Sequence, residues 1–116
     1  MQYALLIYSA EDAGPQEPDE FAAAMQGCFA FNEEAGDKIL GGEPLEAVAT
    51  ASTVRVRDGE AVVTDGPFSE TKEVLGGFYL LECDSLDEAL GWAAKIPAAK
   101  HGSIEVRPVM PIPPSA

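Results

Sequence analysis

An α+β fold is what this sequence predicts, with strands and helices in the order βαββαβ and an extra hairpin in the middle. Three observations carry it. The runs Tyr3 to Tyr8 and Gly76 to Cys83 are apolar at successive positions, as strands covered on both faces must be. Each is followed by a segment of helical periodicity. Between the two units, Asp58-Gly59 separates two alternating stretches, a strong hairpin signal.

The first strand, Tyr3-Ala4-Leu5-Leu6-Ile7-Tyr8, is broken by Gly14-Pro15-Gln16-Glu17-Pro18. Pro18 suits a first helical turn, where its missing N–H costs nothing. Asp19 and Glu20 favour the same end through the helix dipole. Phe21, Met25, Cys28 and Phe29 recur at helical spacing, and Gly36 supplies the stop. Gly27 lowers helix propensity by about 1 kcal/mol relative to Ala and marks a close approach of the helix to the sheet. Residues 39–52 read two ways, with Ile39-Leu40 as a short strand and Gly41-Gly42-Glu43-Pro44 as a turn.

Thr53 to Arg57 and Glu60 to Thr64 flank the Asp58-Gly59 turn, which pairs Arg57 with Glu60, Val56 with Ala61 and Val54 with Val63. The apolar face of this hairpin must cover something, because a lone hairpin is marginal in water. Ser85-Leu86-Asp87-Glu88 is a capping box, in which Ser85 and Glu88 satisfy each other's backbone donors. Leu86, Ala89, Leu90, Ala93 and Ile96 form the stripe of the second helix, which Pro97 ends. The last strand runs from Ser103 to Val109, with Ile104 and Val106 inward and Pro108 placing its end at a sheet edge. The sum is the split βαβ, or ferredoxin-like, pattern within a single domain spanning residues 1–116.

Right-handed crossovers set both helices on one face of such a sheet. The other face then exposes more apolar surface than a monomer ordinarily tolerates, so the expected state is a homodimer packed sheet to sheet.

Composition excludes several functions. With 20 acidic against 7 basic residues and a net charge of −13, the chain has no surface for nucleic acid or an anionic membrane. Residues 1–37 hold Glu11, Asp12, Glu17, Asp19, Glu20, Glu33, Glu34 and Asp37 and no Lys or Arg. A single histidine excludes multi-histidine metal centres, and no motif calls for a metal or a cofactor. The apolar run Ala4 to Tyr8 falls far short of the ~20 residues of a membrane span and lacks the flanks of a signal peptide. A cytoplasmic protein with Cys28 and Cys83 as reduced thiols is therefore expected.

The stretch Asp65-Gly66-Pro67-Phe68-Ser69-Glu70-Thr71-Lys72-Glu73, with the opening MQYALLIY and the closing GSIEVRPV, resembles the DGPF-domain branch of the YCII-related proteins. The resemblance covers essentially the whole chain. It implies a ferredoxin-like fold assembling as a dimeric α+β barrel. Some members look like muconolactone isomerases with a His-Asp pair, whereas the first helix of this chain has no histidine. Others neighbour extracytoplasmic-function sigma factors in the genome, which implies an accessory or signalling role.

Within this stretch Asp65 and Glu70 are the candidate catalytic bases. For Asp65 the alternative is bonding to the backbone of its own turn. Phe68 and Lys72 are candidate ligand-binding residues, the former lining a pocket or plugging the core. Arg55 and Arg57 share one hairpin face and are candidates to hold an anion bidentately, against pairing of Arg57 with Glu60. His101 lies in the polar loop before the last strand, away from any carboxylate or nucleophile in sequence. Three functions remain open: a small-molecule-binding or regulatory homodimer, a cofactor-free enzyme moving a proton, and an accessory that binds another protein.

Overall fold

The computed structural model describes residues 1–114. Its elements are β1 (Gln2–Ser9), α1 (Pro18–Ala35), β2 (Ile39–Pro44), β3 (Ser52–Arg57), β4 (Glu60–Asp65), β5 (Val74–Glu82), α2 (Leu86–Lys95) and β6 (Ser103–Pro108). Strands β2-β5-β1-β6 form one antiparallel sheet in that order, and β3-β4 stand apart as a two-stranded hairpin. This is the ferredoxin-like βαββαβ arrangement with an inserted hairpin.

Register decides the two faces. Tyr3 sits opposite Leu81, Leu5 opposite both Tyr79 and Val106, and Ile7 opposite Ile104. This face is the core, joined by Phe31 and Ala35 of α1 and by Ala89, Ala93 and Ile96 at α2. The Phe31 ring centres it, 4.8 Å from Tyr79 and edge-on to Trp92 at 6.0 Å. Burial raises the Tyr79 phenol above its ordinary value, and its hydroxyl donates to Asn32 Oδ1 at 2.8 Å. On the other face Ala4, Leu6 and Tyr8 stand beside Leu80, Phe78 and Leu75. Among the described residues no helix lies over it, and Leu75 and Phe78 are more than a third exposed.

Several elements depart from the sequence expectations. Residues 39–44 form one strand, not a strand and a turn. The cause is Gly42, whose positive φ and missing Cβ let the chain lie against the Phe78 carbonyl of β5. The α1 stripe is also different. Ala24 and Cys28 are half-buried and Phe31 and Ala35 fully buried, whereas Phe21, Met25 and Phe29 sit on an exposed flank. The buried face is set by Phe31 and Ala35, and the three large side chains Phe21, Met25 and Phe29, spaced i, i+4 and i+8, share a different face. Gly27 marks an approach to Pro97, whose Cγ would meet an added Cβ at 3.0 Å, and not to the sheet.

At α2 the buried stripe narrows to Ala89, Ala93 and Ile96, leaving Leu86 and Leu90 on an exposed margin. Ser85 Oγ accepts from the Glu88 amide at 3.1 Å, as a capping box requires. The Glu88 carboxylate, however, accepts from Asp84 N–H at 2.7 Å, one residue earlier than expected. Its other oxygen meets Lys38 Nζ at 2.6 Å, which sets the side chain's direction.

The hairpin has the expected register, and Asp58 and Gly59 both take the positive φ of a two-residue turn. Its apolar face covers nothing in one copy: Val54, Val56 and Val63 are each over 60% exposed. The Arg57 guanidinium donates to the Val56 carbonyl at 3.0 Å instead of pairing with Glu60, because an exposed cross-strand ion pair gains little over a local acceptor. The Cα radius of gyration is 16.4 Å, against about 13 Å for a compact chain of this length.

Candidate functional site

Where β1 and β5 end on the open face, the ladder slips. Ile7 pairs with Gly77 but Tyr8 pairs with Leu75, leaving Gly76 as the extra residue of a bulge. The bulge turns the carbonyl of Gly76 to the Leu45 amide, which donates to it at 2.9 Å and anchors the loop 45–51. The other end of that loop is tied to the hairpin base, where Gly66 N–H donates to the Ala51 carbonyl at 2.7 Å. Thr53 Oγ1 donates to the Gly66 carbonyl at 2.8 Å. Gly66 has φ +97°, so only glycine turns the chain there without strain. Pro67 and Phe68 follow and lie against the loop.

These connections line a half-open cavity of about 460 Å³. Its floor is Tyr8, Val74 and Leu75, and its walls are Val48 and Phe68. Glu46, Thr50, Ser69, Thr71 and Glu73 supply its polar groups. Most of the lining is apolar, as expected of a small-molecule site. Glu73 is half-buried, and its Oε1 accepts from Ser103 Oγ at 2.8 Å. Ser103 stands opposite Tyr8 on β6, so the serine that orients this carboxylate is fixed by strand pairing.

The residues singled out from sequence are placed as follows. Phe68 is in the cavity wall, 75% exposed at its rim. Arg55 Nη2 makes a long contact to the Phe68 carbonyl at 3.5 Å, bracing the rim from the hairpin. Asp65 closes β4 opposite Ser52, exposed and outside the lining. Glu70 and Lys72 are exposed on the loop beyond the wall, and Arg57 lies near the hairpin tip. Cys83 is buried and Cys28 half-buried as free thiols, and burial raises the Cys83 thiol above its ordinary value. His101 is exposed. Among the described residues no three His, Cys, Asp or Glu side chains converge as a metal site.

Sequence reading missed Glu46 and Tyr8 as lining residues, whereas Glu73 reads, beside Glu70 and Lys72, as a candidate on a polar loop. Glu73 ends a polar run and reads as loop, and only the fold brings Ser103 to it from thirty positions away. Tyr8 did carry a signal, a hydroxyl at the end of an apolar strand.

The chain matches the YCII-related domain over residues 1–113. It belongs to the YCII-related family. An uncharacterised protein of Rhizobium meliloti (strain 1021) is 44% identical to it, over 94% of this chain and 92% of that one. A solved structure of similar fold is 5-chloro-2-hydroxyhydroquinone dehydrochlorinase (TftG) from Burkholderia phenoliruptrix AC1100, in complex with 2,5-dihydroxybenzoquinone. The two superpose with a TM-score of 0.53 at 18% identity, over 95% of this chain and 94% of TftG. That likeness supports the α+β fold for this YCII-related chain. Among the described residues no helix is long and apolar enough to cross a membrane.

Proposed function

We propose that this YCII-related protein is a cytoplasmic homodimer that binds a small, mostly apolar molecule in the cavity between the open sheet face and the loops 45–51 and 67–71. The observation that carries the reading is the cavity itself, an apolar hollow with a few convergent polar groups. The similar fold of TftG, crystallised with a small ring compound, supports the reading by analogy. The dimer rests on the uncovered Leu6, Phe78 and Leu80 face and on the valine face of the hairpin, two apolar surfaces that one copy leaves in water.

A screen of small ring compounds by thermal shift tests the reading. A ligand at one hundred times its Kd stabilises the folded chain by about 2.7 kcal/mol, a readily measured rise in melting temperature. The rise is expected to disappear in Phe68→Ala, which removes one wall. A screen without hits would sink the reading and favour a protein-binding accessory role.

A second reading, a cofactor-free enzyme that moves a proton, is favoured by one observation. Glu73 is a half-buried lining residue of a mostly apolar hollow, with its carboxylate fixed through Oε1 by Ser103, a setting in which a carboxylate serves as a base. Asp65 and Glu70 are the other bases this reading offers, and Lys72 its cation. Turnover that survives Glu73→Gln but not Asp65→Asn or Glu70→Gln would assign the base to the outer loop.

A further inference from the structure

The cavity has a charge character that its apolar lining hides. Among the described residues that line it, Glu46 and Glu73 are the acidic ones, and no Lys, Arg or His is among them. Neither carboxylate is compensated. The ion pairs among the described residues engage Glu34, Glu82, Glu88 and Glu105, and none includes Glu46 or Glu73. Ser103, itself outside the lining, donates a hydrogen bond to Glu73 Oε1 and fixes that oxygen, but a neutral hydroxyl leaves the charge in place. Lys72, between the lining residues Thr71 and Glu73, is exposed and stands outside the lining, and Arg55 is turned to the Phe68 carbonyl. Two aromatic rings, Tyr8 and Phe68, complete the lining, and ring faces attract cations as well as apolar groups.

We infer that the molecule this cavity takes is an apolar amine, with a ring or chain that fills the hollow and one ammonium group held between Glu73 and Glu46. This rests on the reading of the cavity as a ligand site. An anionic ligand of the same size would bring like charges together in a partly desolvated hollow, and a neutral alcohol would leave both carboxylates uncompensated. The net charge of −13 adds to the selection, since it concentrates cations and repels anions around the whole chain.

Three matched probes test the inference on the full chain by calorimetric titration at neutral pH and low salt: 2-phenylethylamine, 2-phenylethanol and 3-phenylpropanoate. The amine is expected to bind at least about tenfold more tightly than the alcohol, a difference of about 1.4 kcal/mol, and the acid more weakly than either. Glu73→Gln keeps the shape and the Ser103 hydrogen bond, and is expected to bring the amine close to the alcohol without changing the alcohol. Glu46→Gln is expected to act in the same direction, and serves where the first variant loses stability. Alcohol or acid binding as tightly as the amine overturns the charge assignment while the cavity stands as a site. Equal loss for all three probes in both variants also overturns it. Failure of all three to bind at millimolar concentration overturns both the inference and the reading beneath it.

Discussion

Substituting alanine for Gly42 tests how the edge strand that leads into the cavity is held. A Cβ at this position would lie 2.5 Å from the Phe78 carbonyl oxygen, 3.0 Å from Tyr79 Cα and 3.1 Å from Tyr79 Cδ1. Two of these are backbone atoms of the central strand β5, which cannot move aside cheaply. The φ of +149° adds a second penalty, since residues with a side chain rarely adopt it. Overpacking costs about 1–3 kcal/mol and a disfavoured backbone conformation a further ~1–3 kcal/mol. The two sum to about 2–6 kcal/mol, and a loss of about 3 kcal/mol is expected for Gly42→Ala, from a total stability of about 5–15 kcal/mol. At about 4 °C per kcal/mol the melting temperature falls by about 12 °C.

Gly41 is the matched control, because an added Cβ there meets nothing within 4 Å. Gly41→Ala is expected to leave stability unchanged or raise it by about 0.4–1 kcal/mol, by restricting the unfolded chain. Circular-dichroism melts of both variants decide the matter. A Gly42→Ala protein melting as wild type, or a Gly41→Ala protein losing as much, would refute the close β2–β5 contact. Because β2 leads to the Leu45 amide that anchors the cavity loop, Gly42→Ala is also expected to weaken ligand binding.

Other expectations follow from the same structure. Phe31→Ala empties the centre of the core beneath Tyr79 and Trp92 and is expected to cost about 3–5 kcal/mol in denaturant titrations. Ser85→Ala removes the acceptor for the Glu88 amide and is expected to cost about 1 kcal/mol, by the same measurement. Hydrogen bonds from the Lys38 ammonium and then the Asp84 amide hold the Glu88 carboxyl below its ordinary value, while Glu88 holds Lys38 above its own. The carboxylate's contribution is therefore complete above the ordinary Glu value of about 4.3 and is lost as pH falls through the lowered one. The lysine's contribution is complete below about 10.4 and is lost as pH rises through the raised value. Melts of wild type against Glu88→Gln should differ by a constant amount between those limits, converge at acid pH, and narrow without closing at alkaline pH, where the Asp84 amide still meets the carboxylate. Light scattering after size exclusion is expected to give twice the chain mass at micromolar concentration, and Leu6→Asp, on the open face, a monomer.

How far the sequence reveals this protein depends on how local each cause is. The hairpin register was legible because Asp58-Gly59 sets it within four residues. The paired strands were legible from runs such as Tyr3 to Tyr8, and the start of α1 from Pro18. The helix stripe was misread because Phe21, Met25 and Phe29 outweigh Ala24 and Ala35 in hydrophobicity. The face that packs nevertheless carries Phe31 and Ala35, which only the fold selects. Gly42 reads as a turn until the carbonyl of Phe78 is seen against it, 36 positions further along the chain. The site was legible only in outline. The motif that begins at Asp65 does contribute Phe68 and Glu73 to the cavity, but the β5 bulge that opens it and the Ser103 contact depend on long-range pairing.

The central claim is that the hollow beside Tyr8 and Glu73 is a ligand site. The measurement that tests it most directly is backbone amide mapping by nuclear magnetic resonance during titration with 2-phenylethylamine. The account predicts saturable shifts at Tyr8, Val48, Ser69, Val74 and Leu75, with Asp58 and Gly59 at the hairpin tip unmoved. Shifts gathered on α1 or the hairpin, or none at millimolar amine, would contradict it.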